Sequence, residues 1–395
     1  MSEHSPGRRP VSRRRALVLG SRVAAAGVVG GLAANGLWNA ASPVLAKDSG
    51  KRSLRIGYLP ITDASALLTA YEKGFLADQG IDAPQPVLFR SWESLAQAFT
   101  IGEVDVVHVL MPLAIQLRLA KQVPLKVIAW GHVNGSALTV SNNITELPQL
   151  AGSTVAIPYW WSIHNIVLQR MFRAQGLTPV IRQQPSAANG TVQLAVMAPA
   201  DMVAALAGGQ VSGYVVADPF SAVAEKNGIG RVQRFLGDVW KDHACCAVVV
   251  REDLIAEDPD AVQGLTTAIV QAQQWIESNR AGMGALLTQG GFLPQPEPAV
   301  AKVFNREPSE YAAVTTHADW RGERLGFSAL PLPSYTSALV DSMRQTTIDG
   351  DSTFLDGLTD ADVHPDLVDD RFARAALGGA AIPPANLNRQ ELIQP

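Results

Sequence analysis

Alternating strand and helix patterns from residue 54 onward limit the folds that this chain can adopt. The apolar stretch 54–59 predicts a short strand ended by Pro60, and 64–73 predicts a helix with Gly74 at its C-terminal side. The same order repeats with a strand at 87–89, a helix at 92–100 and a strand at 104–110. Such alternation is typical of sheets covered by helices on both faces. We therefore predict an α/β fold with doubly wound, parallel-rich sheets.

A weak internal repeat suggests that the chain forms two lobes. Residues 95–109 and 203–216 share one order, a helix of small residues, a glycine turn and a buried strand. The polar stretch 141–150 and a strand at 245–250 are the candidate crossings between the lobes. We predict a first lobe at 52–141 together with 250–374 and a second lobe at 150–245. The Gly-, Ala- and Pro-rich residues 375–395 predict a loose C-terminal arm.

The first 46 residues predict export. Arg13 and Arg14 lie in a twin-arginine run, an apolar segment rich in Ala and Gly follows, and Val44 and Ala46 suit a cleavage site before Lys47. The apolar segment is too short and too rich in Gly for a membrane helix, which needs about 20 apolar residues. We expect a twin-arginine-type signal peptide at 1–46 and a periplasmic or otherwise extracytoplasmic protein. A basic tail before an uncleaved anchor is the alternative.

Charge and motif content exclude several classes of function. The net charge is −4 with both signs dispersed, which argues against nucleic acid or an anionic membrane as partner. The sequence contains no Gly-x-Ser-x-Gly elbow, Walker loop, dinucleotide fingerprint or His-Glu-x-x-His motif. We expect a monomeric protein that has no catalytic residues and no cofactor.

The two cysteines, Cys245 and Cys246, are adjacent. Neighbouring Cα atoms lie about 3.8 Å apart, closer than the about 4.4–6.8 Å of ordinary disulfides, so we expect two reduced thiols. His243 would add an imidazole to the two thiols. Residues 243–246 alone do not supply the four ligands of a closed zinc site, so we expect no metal. We expect instead a strand whose side chains alternate between the core and a cleft.

The aromatic segment 158–165 is the most suggestive binding motif. It lies between a predicted strand at 153–157 and a predicted helix at 166–173, where open α/β sheets bind ligands and helix N-termini favour anions. Trp161 would supply a wall of the site and His164 a hydrogen bond. Inter-domain packing for the tryptophan and helix capping for the histidine are the alternatives.

Further candidates occupy equivalent places after other predicted strands. Roles as helix caps or turn residues are the alternative for most of them. They are Asp63, Trp92, Ser136 and Asp218.

Several motifs resemble the nitrate- and bicarbonate-binding proteins of bacterial ABC importers. They are Gly57-Tyr58-Leu59-Pro60-Ile61-Thr62-Asp63-Ala64, Ser91-Trp92, Ser162-Ile163-His164-Asn165, Met202-Val203-Ala204-Ala205-Leu206 and Asp238-Val239-Trp240. The resemblance implies a two-lobed periplasmic-binding-protein (Venus-flytrap) fold with a hinge. It also implies that a small solute is captured between the lobes and delivered to an ABC permease in the membrane.

The resemblance also implies roles for single residues. Trp92 and His164 match positions that hold the anion in the nitrate binders, the Gln that follows Asn-Gly in the family becomes Ser136, and a cationic Lys becomes Cys246. Loss of that Lys removes a charge-assisted hydrogen bond worth about 1.5–3 kcal/mol. We therefore expect a larger or less charged solute that contains nitrogen or sulfur.

Two other functions stay open at this point. The superfamily also resembles a pyrimidine synthase of thiamine biosynthesis, an enzyme that uses iron and a Cys-rich segment, although export and the presence of only two cysteines argue against it. The other alternative is a ligand-binding module coupled to a sensor.

Overall fold

The computed structural model describes residues 52–379 and 389–395. The predicted signal peptide at 1–46 and its cleavage site therefore lie outside the described residues. None of the helices in the described part of the chain is long and apolar enough to cross a membrane.

The strands of the described residues form a two-stranded, a five-stranded and a six-stranded sheet. They are β1 (Arg52–Ser53), β2 (Ile56–Tyr58), β3 (Ile81–Asp82), β4 (Val87–Leu88), β5 (Val106–Leu110), β6 (Leu125–Trp130), β7 (Ser136–Ser141), β8 (Thr154–Ile157), β9 (Thr178–Val180), β10 (Thr191–Val196), β11 (Gly213–Ala217), β12 (Gly230–Phe235) and β13 (Cys246–Arg251).

Helices alternate with these strands and then dominate the C-terminal part. The α-helices are α1 (Ser65–Glu72), α2 (Phe75–Asp78), α3 (Trp92–Thr100), α4 (Met111–Leu119), α5 (Ile163–Ala174), α6 (Pro199–Ala207), α7 (Phe220–Lys226), α8 (Glu252–Glu257), α9 (Pro259–Ser278), α10 (Met283–Gln289), α11 (Glu297–Phe304), α12 (Pro333–Arg344), α13 (Asp360–Leu367) and α14 (Arg371–Ala376). Short 3₁₀ helices lie at Thr62–Ala64, Leu147–Leu150, Leu236–Asp238, Arg280–Gly282, Pro308–Val314, Ala318–Trp320 and Thr353–Leu355.

Serine caps fix the start of two helices that border the candidate site. Ser91 Oγ accepts a hydrogen bond from the backbone N–H of Ser94 at 3.2 Å, which confirms the predicted start of α3. Ser162 Oγ accepts from the backbone N–H of Asn165 at 3.1 Å. Helix α5 consequently begins at Ile163 rather than at 166, and His164 lies in its first turn.

Both large sheets combine parallel strands with one antiparallel strand in an interior position. The strand order is β4-β2-β5-β13-β6 in the five-stranded sheet and β12-β7-β11-β8-β10-β9 in the six-stranded sheet. Strand β13 is antiparallel to both β5 and β6, and β7 is antiparallel to both β12 and β11. The pairs β2–β5 and β8–β10 are parallel, as the strand and helix alternation predicts.

The chain crosses between the two sheets earlier than the sequence suggests. Residues 131–135 connect β6 of the five-stranded sheet to β7 of the six-stranded sheet, and residues 236–245 lead back to β13. The stretch 141–150 is therefore not the crossing, because Ser136–Ser141 already pairs within the six-stranded sheet. The division of the chain into two lobes remains a prediction.

The last residues do not form a loose arm. Leu392 O accepts a hydrogen bond from Lys241 N at 3.0 Å, and Gln394 N donates to Val239 O at 2.7 Å. Trp240 Nε1 donates to Glu391 Oε2 at 2.8 Å. The prediction for 375–395 is therefore wrong for 389–395, since backbone pairing and a side-chain hydrogen bond anchor this segment.

The core lies on both faces of the five-stranded sheet. Val107 and Val109 of β5 pack in one hydrophobic cluster with α3 and α4, whereas Val106 packs in a second cluster with α1 and α9. This follows from the alternation of successive strand side chains. Burial on both faces leaves the sheet edges and connecting loops as the places for polar side chains.

Candidate functional site

Polar side chains converge at one edge of the five-stranded sheet. Asp63 follows β2 and His132 follows β6. Cys245 directly precedes β13 and Cys246 begins it, and this strand runs in the opposite direction. Their ligand atoms all lie within 4.8 Å of one another, and all these side chains are buried. We call Asp63, His132, Cys245 and Cys246 the four-residue cluster.

Glycines allow the loop that carries His132 to approach Asp63. A Cβ atom on Gly131 would lie 2.7 Å from His108 Nε2. Gly135 has a φ of +79°, and a Cβ atom there would lie 2.5 Å from a methyl carbon of Leu325. Positive φ and such close approach both favour glycine, so the two glycines fix the course of the loop around His132.

Asp63 and His132 form a buried pair. His132 Nε2 lies 2.9 Å from Asp63 Oδ2, and both side chains are inaccessible to solvent. Burial disfavours the charged imidazole, but the Asp63 carboxylate outweighs burial and raises the pKa of His132 to about 10. Burial also raises the pKa of Asp63, against the effect of His132. The pair therefore retains a proton at neutral pH.

His164 links the six-stranded sheet to the four-residue cluster. Its Nε2 lies 3.0 Å from Oγ of Ser136, the first residue of β7, and 3.8 Å from Cys245 Sγ. Burial lowers the pKa of His164 to about 3, so the imidazole is neutral. His164 Nδ1 has no hydrogen-bond partner among the described residues. This buried nitrogen is therefore a candidate group for hydrogen bonding to a ligand.

The two thiols are free and point toward each other. The sulfur atoms of Cys245 and Cys246 lie 3.7 Å apart. Strand β13 begins only at Cys246, so the expected alternation of one thiol to the core and one to the cleft is wrong. Burial raises the pKa of both thiols. Both side chains are therefore protonated thiols when no cation is bound beside them.

The predicted tryptophans lie in the large hydrophobic cluster. Trp92 and Trp161 are each 1% exposed, and Trp161 packs edge-to-face on Phe354 with ring centroids 5.6 Å apart. Their indole N–H groups have no hydrogen-bond partner among the described residues. The tryptophans therefore serve mainly as packing residues, each with one unpaired donor.

Asp218 forms an ion pair instead of presenting a free carboxylate. Arg306 Nη1 lies 2.5 Å from Asp218 Oδ2, Ser221 also donates to this carboxylate, and all three side chains are buried. Burial disfavours the charge of Arg306, but Asp218 outweighs burial and raises the pKa of the guanidinium. The backbone carbonyl of Asp218 accepts from Thr62 N at 2.8 Å, which ties β11 to the turn that carries Asp63.

Folding therefore unites part of the predicted site and adds residues that were not predicted. Asp63, Ser136, His164 and Cys246 come together, whereas Trp92, Trp161 and Asp218 have other principal contacts. The additions are His132, Cys245 and His108. The position of His132 just after a strand was an available signal.

Comparisons with known proteins agree with this architecture. The model of the NMT1-like family matches residues 47–286. The nitrate/nitrite binding protein NrtA of Nostoc sp. is 28% identical over 303 residues, which cover 68% of this chain and 67% of that protein. The bicarbonate transport ATP-binding protein CmpC of Synechococcus elongatus is 26% identical over 287 residues, which cover 68% of this chain and only 42% of CmpC.

A solved structure shows the same fold. The periplasmic nitrate-binding protein NrtA from Synechocystis superposes with a TM-score of 0.69 at 20% sequence identity, covering 85% of this chain and 90% of that chain. This likeness confirms the expected fold, which is that of the two-lobed periplasmic binding proteins.

Proposed function

Because the chain belongs to the NMT1-like family, we propose that it is the solute-binding component of an ABC importer. The sequence relatives named above are nitrate/nitrite-binding and bicarbonate-transport proteins. They give no support to the thiamine-pyrimidine-synthase alternative. The protein works outside the cytoplasm as a monomer, exported by its twin-arginine signal, and delivers its solute to a membrane permease.

The observation that carries this proposal is the junction between the two sheets. His164 of α5 and Ser136 of β7 belong to the six-stranded half, whereas Cys245 precedes β13 of the five-stranded half. His164 lies within 3.8 Å of the Cys245 sulfur. A solute that binds here contacts both halves and therefore favours the closed state over the open one. Because these side chains are buried, the halves must separate before a solute enters.

The charges at the junction favour a weakly charged solute. The four-residue cluster and the Ser136–His164 pair contain no Lys or Arg. Asp63 balances the positive charge of a protonated His132, and Asp218 balances the positive charge of Arg306. The unpaired His164 Nδ1 suits hydrogen bonding to a neutral group. We infer a small nitrogen- or sulfur-containing solute without a full charge, such as a heterocycle, rather than nitrate.

A ligand screen tests this function. Metal-free mature protein is screened by thermal shift against small nitrogen and sulfur compounds, with nitrate and bicarbonate included, and hits are measured by titration calorimetry. We expect His164→Gln and Ser136→Ala to weaken binding of the best compound at least about tenfold, since each lost hydrogen bond contributes roughly 0.5–1.5 kcal/mol and leaves a buried partner unpaired.

The matched control is His364→Gln, which changes a buried histidine that bonds to Thr336 outside the junction. Its affinity should equal that of the wild type. Unchanged binding by His164→Gln would place the solute elsewhere. Tightest binding of nitrate would refute the inferred solute class.

A further inference from the structure

We propose that the four-residue cluster is a tetrahedral binding site for a thiophilic divalent metal ion of the zinc class. Nothing in the proposed transport of an organic solute requires such a site. The earlier expectation of no metal counted only the possible ligands within residues 243–246. The folded chain adds Asp63 and His132 to the two cysteines.

The donor types match this class of metal. Zinc binds thiolate sulfur, imidazole nitrogen and carboxylate oxygen, and closed sites have four such ligands in tetrahedral geometry. The cluster offers two sulfurs, one imidazole and one carboxylate, and their ligand atoms already lie within 4.8 Å of one another. No large movement is needed to surround one ion.

The spacing of the sulfurs agrees with tetrahedral geometry. With Zn–S bonds of about 2.3 Å, two sulfurs of a tetrahedral site lie about 3.8 Å apart. The Cys245 and Cys246 sulfurs lie 3.7 Å apart. The 2.9 Å contact between His132 and Asp63 would open slightly as the ion replaces the shared proton.

The backbone holds both cysteines in place before an ion arrives. Cys245 O accepts from Met111 N at 2.9 Å, and Cys246 O accepts from Gly131 N at 3.1 Å. His164 Nε2, 3.8 Å from Cys245 Sγ, is positioned to donate to a thiolate there. Hydrogen-bond partners of metal-binding residues orient those residues and strengthen metal binding.

Charge balance also favours a cation at this place. Two thiolates and a carboxylate would put three negative charges in a fully buried space, which is costly unless they are paired or coordinate a metal. A divalent ion offsets two of these charges. Because thiolates rather than thiols bind metal ions, metal binding here is coupled to loss of the thiol protons.

The site belongs to one half of the molecule. Its residues follow β2 and β6 or start β13, and all three strands lie in the five-stranded sheet. The ligand set is therefore complete without any residue of the six-stranded sheet. An ion bound here would lie next to the Ser136–His164 pair, since His164 Nε2 is 3.8 Å from Cys245 Sγ.

Cobalt provides a direct probe. The mature protein, reduced and stripped of metal, is titrated with Co²⁺ and the absorption spectrum is recorded. We expect thiolate-to-cobalt charge-transfer bands that saturate at one equivalent and disappear on addition of Zn²⁺. Cys245→Ser and Cys246→Ser should each reduce the charge-transfer intensity. Each should also weaken Zn²⁺ binding by more than about 100-fold, the upper range for losing an outer-shell partner alone.

His364→Gln is the control and should bind both metals as the wild type does. Absence of charge-transfer bands in the wild-type protein overturns the proposal without any variant. Zn²⁺ affinity that survives in both cysteine variants also overturns it, because the ion is then bound elsewhere. The screen for an organic solute uses metal-free protein, so its result does not depend on the cobalt titration. Failure of the metal proposal can therefore be told apart from failure of the proposed function.

Discussion

At the scale of single residues, pairing decides which buried groups remain open to a ligand. Asp218 is bound by Arg306, and Asp63 is bound by His132. His164 is neutral and keeps Nδ1 unpaired, and among the described residues His132 Nδ1 and Asp63 Oδ1 also lack a hydrogen-bond partner. We therefore expect a solute at the junction to meet imidazoles and two thiols rather than a free charge.

Trp92 illustrates how burial revises a predicted binding residue. Trp92→Ala should lower the free energy of unfolding by about 3–5 kcal/mol, because a buried tryptophan leaves a large cavity. Denaturant titration of the solute-free protein measures the loss. Trp160→Ala is the control, since Trp160 is only partly buried and should cost less. A loss below that of Trp160→Ala would return Trp92 to its predicted role as a ligand-binding residue.

His364 should make the protein sensitive to acid. Burial lowers the pKa of His364 to about 4. Below its ordinary pKa of about 6.5, the unfolded chain takes up a proton that the native state refuses until about pH 4. Stability therefore falls as the pH drops through this window, by at most about 1.4 kcal/mol per pH unit for one group.

The test compares His364→Gln with the wild type by denaturant unfolding at neutral pH and within this window. The variant should lose less stability on acidification than the wild type. Buried His164 and His243, whose pKa values are lowered to about 3, act in the same direction. They should preserve part of the slope of unfolding free energy against pH in the variant. Identical slopes would show that His364 does not titrate with folding.

At the scale of elements, the connection between β6 and β7 positions the site. Residues 131–135 carry the chain from one sheet to the other and hold His132 against Asp63. The hydrogen bond from Val133 N to Gly326 O, 2.9 Å long, fastens this loop to the C-terminal part of the chain. A substitution in this loop should therefore lower the stability of the protein and also disturb the four-residue cluster.

Gly135→Ala tests the role of this loop. Its positive φ and the 2.5 Å approach of a new Cβ to Leu325 both oppose alanine. Gly176→Ala is matched in backbone, with a φ of +71°, but its Cβ would meet nothing within 4 Å. Strain of this kind costs about 1–3 kcal/mol, and we expect the larger loss for Gly135→Ala in denaturant unfolding. Equal losses would mean that Leu325 yields freely and that the loop is not tightly constrained.

At the scale of the whole molecule, two mixed sheets and a closed junction suit a protein that captures its solute by closing. The C-terminal part strengthens this closed arrangement. Gln169 Nε2 of α5 donates to Thr347 O at 2.7 Å, and Arg170 Nη2 donates to Ser342 Oγ of α12 at 2.8 Å. Opening must therefore either break these contacts or carry the C-terminal segment along with α5.

The export prediction concerns the full chain. Changing both Arg13 and Arg14 to Lys should leave the precursor in the cytoplasm, because the twin-arginine pair is the feature on which the export prediction rests. Fractionation with N-terminal sequencing measures the outcome, and wild-type protein from outside the cytoplasm should start at Lys47. An exported protein that retains Met1 would refute cleavage after Ala46, and normal export of the double variant would refute the twin-arginine route.

Features that depend on near neighbours along the chain could be predicted without the structure. The strand and helix alternation, the cap at Ser91 and the turn glycines all follow from local sterics and hydrogen bonding, and these features predict the α/β class. Motif order added the family resemblance. Positions after strand ends indicated Asp63, Ser136 and His164 as candidates, and the fold brings all three near Cys245.

Which strand ends meet depends on contacts between residues that are distant in the chain. Asp63, His132 and Cys246 are far apart along the chain, and they come together because β2, β13 and β6 share one sheet edge. Strand order arises from long-range packing, and the local pattern of apolar and polar residues does not predict it. Burial likewise depends on what covers a residue, which is why Trp92 lies in the core and Asp218 pairs with the distant Arg306.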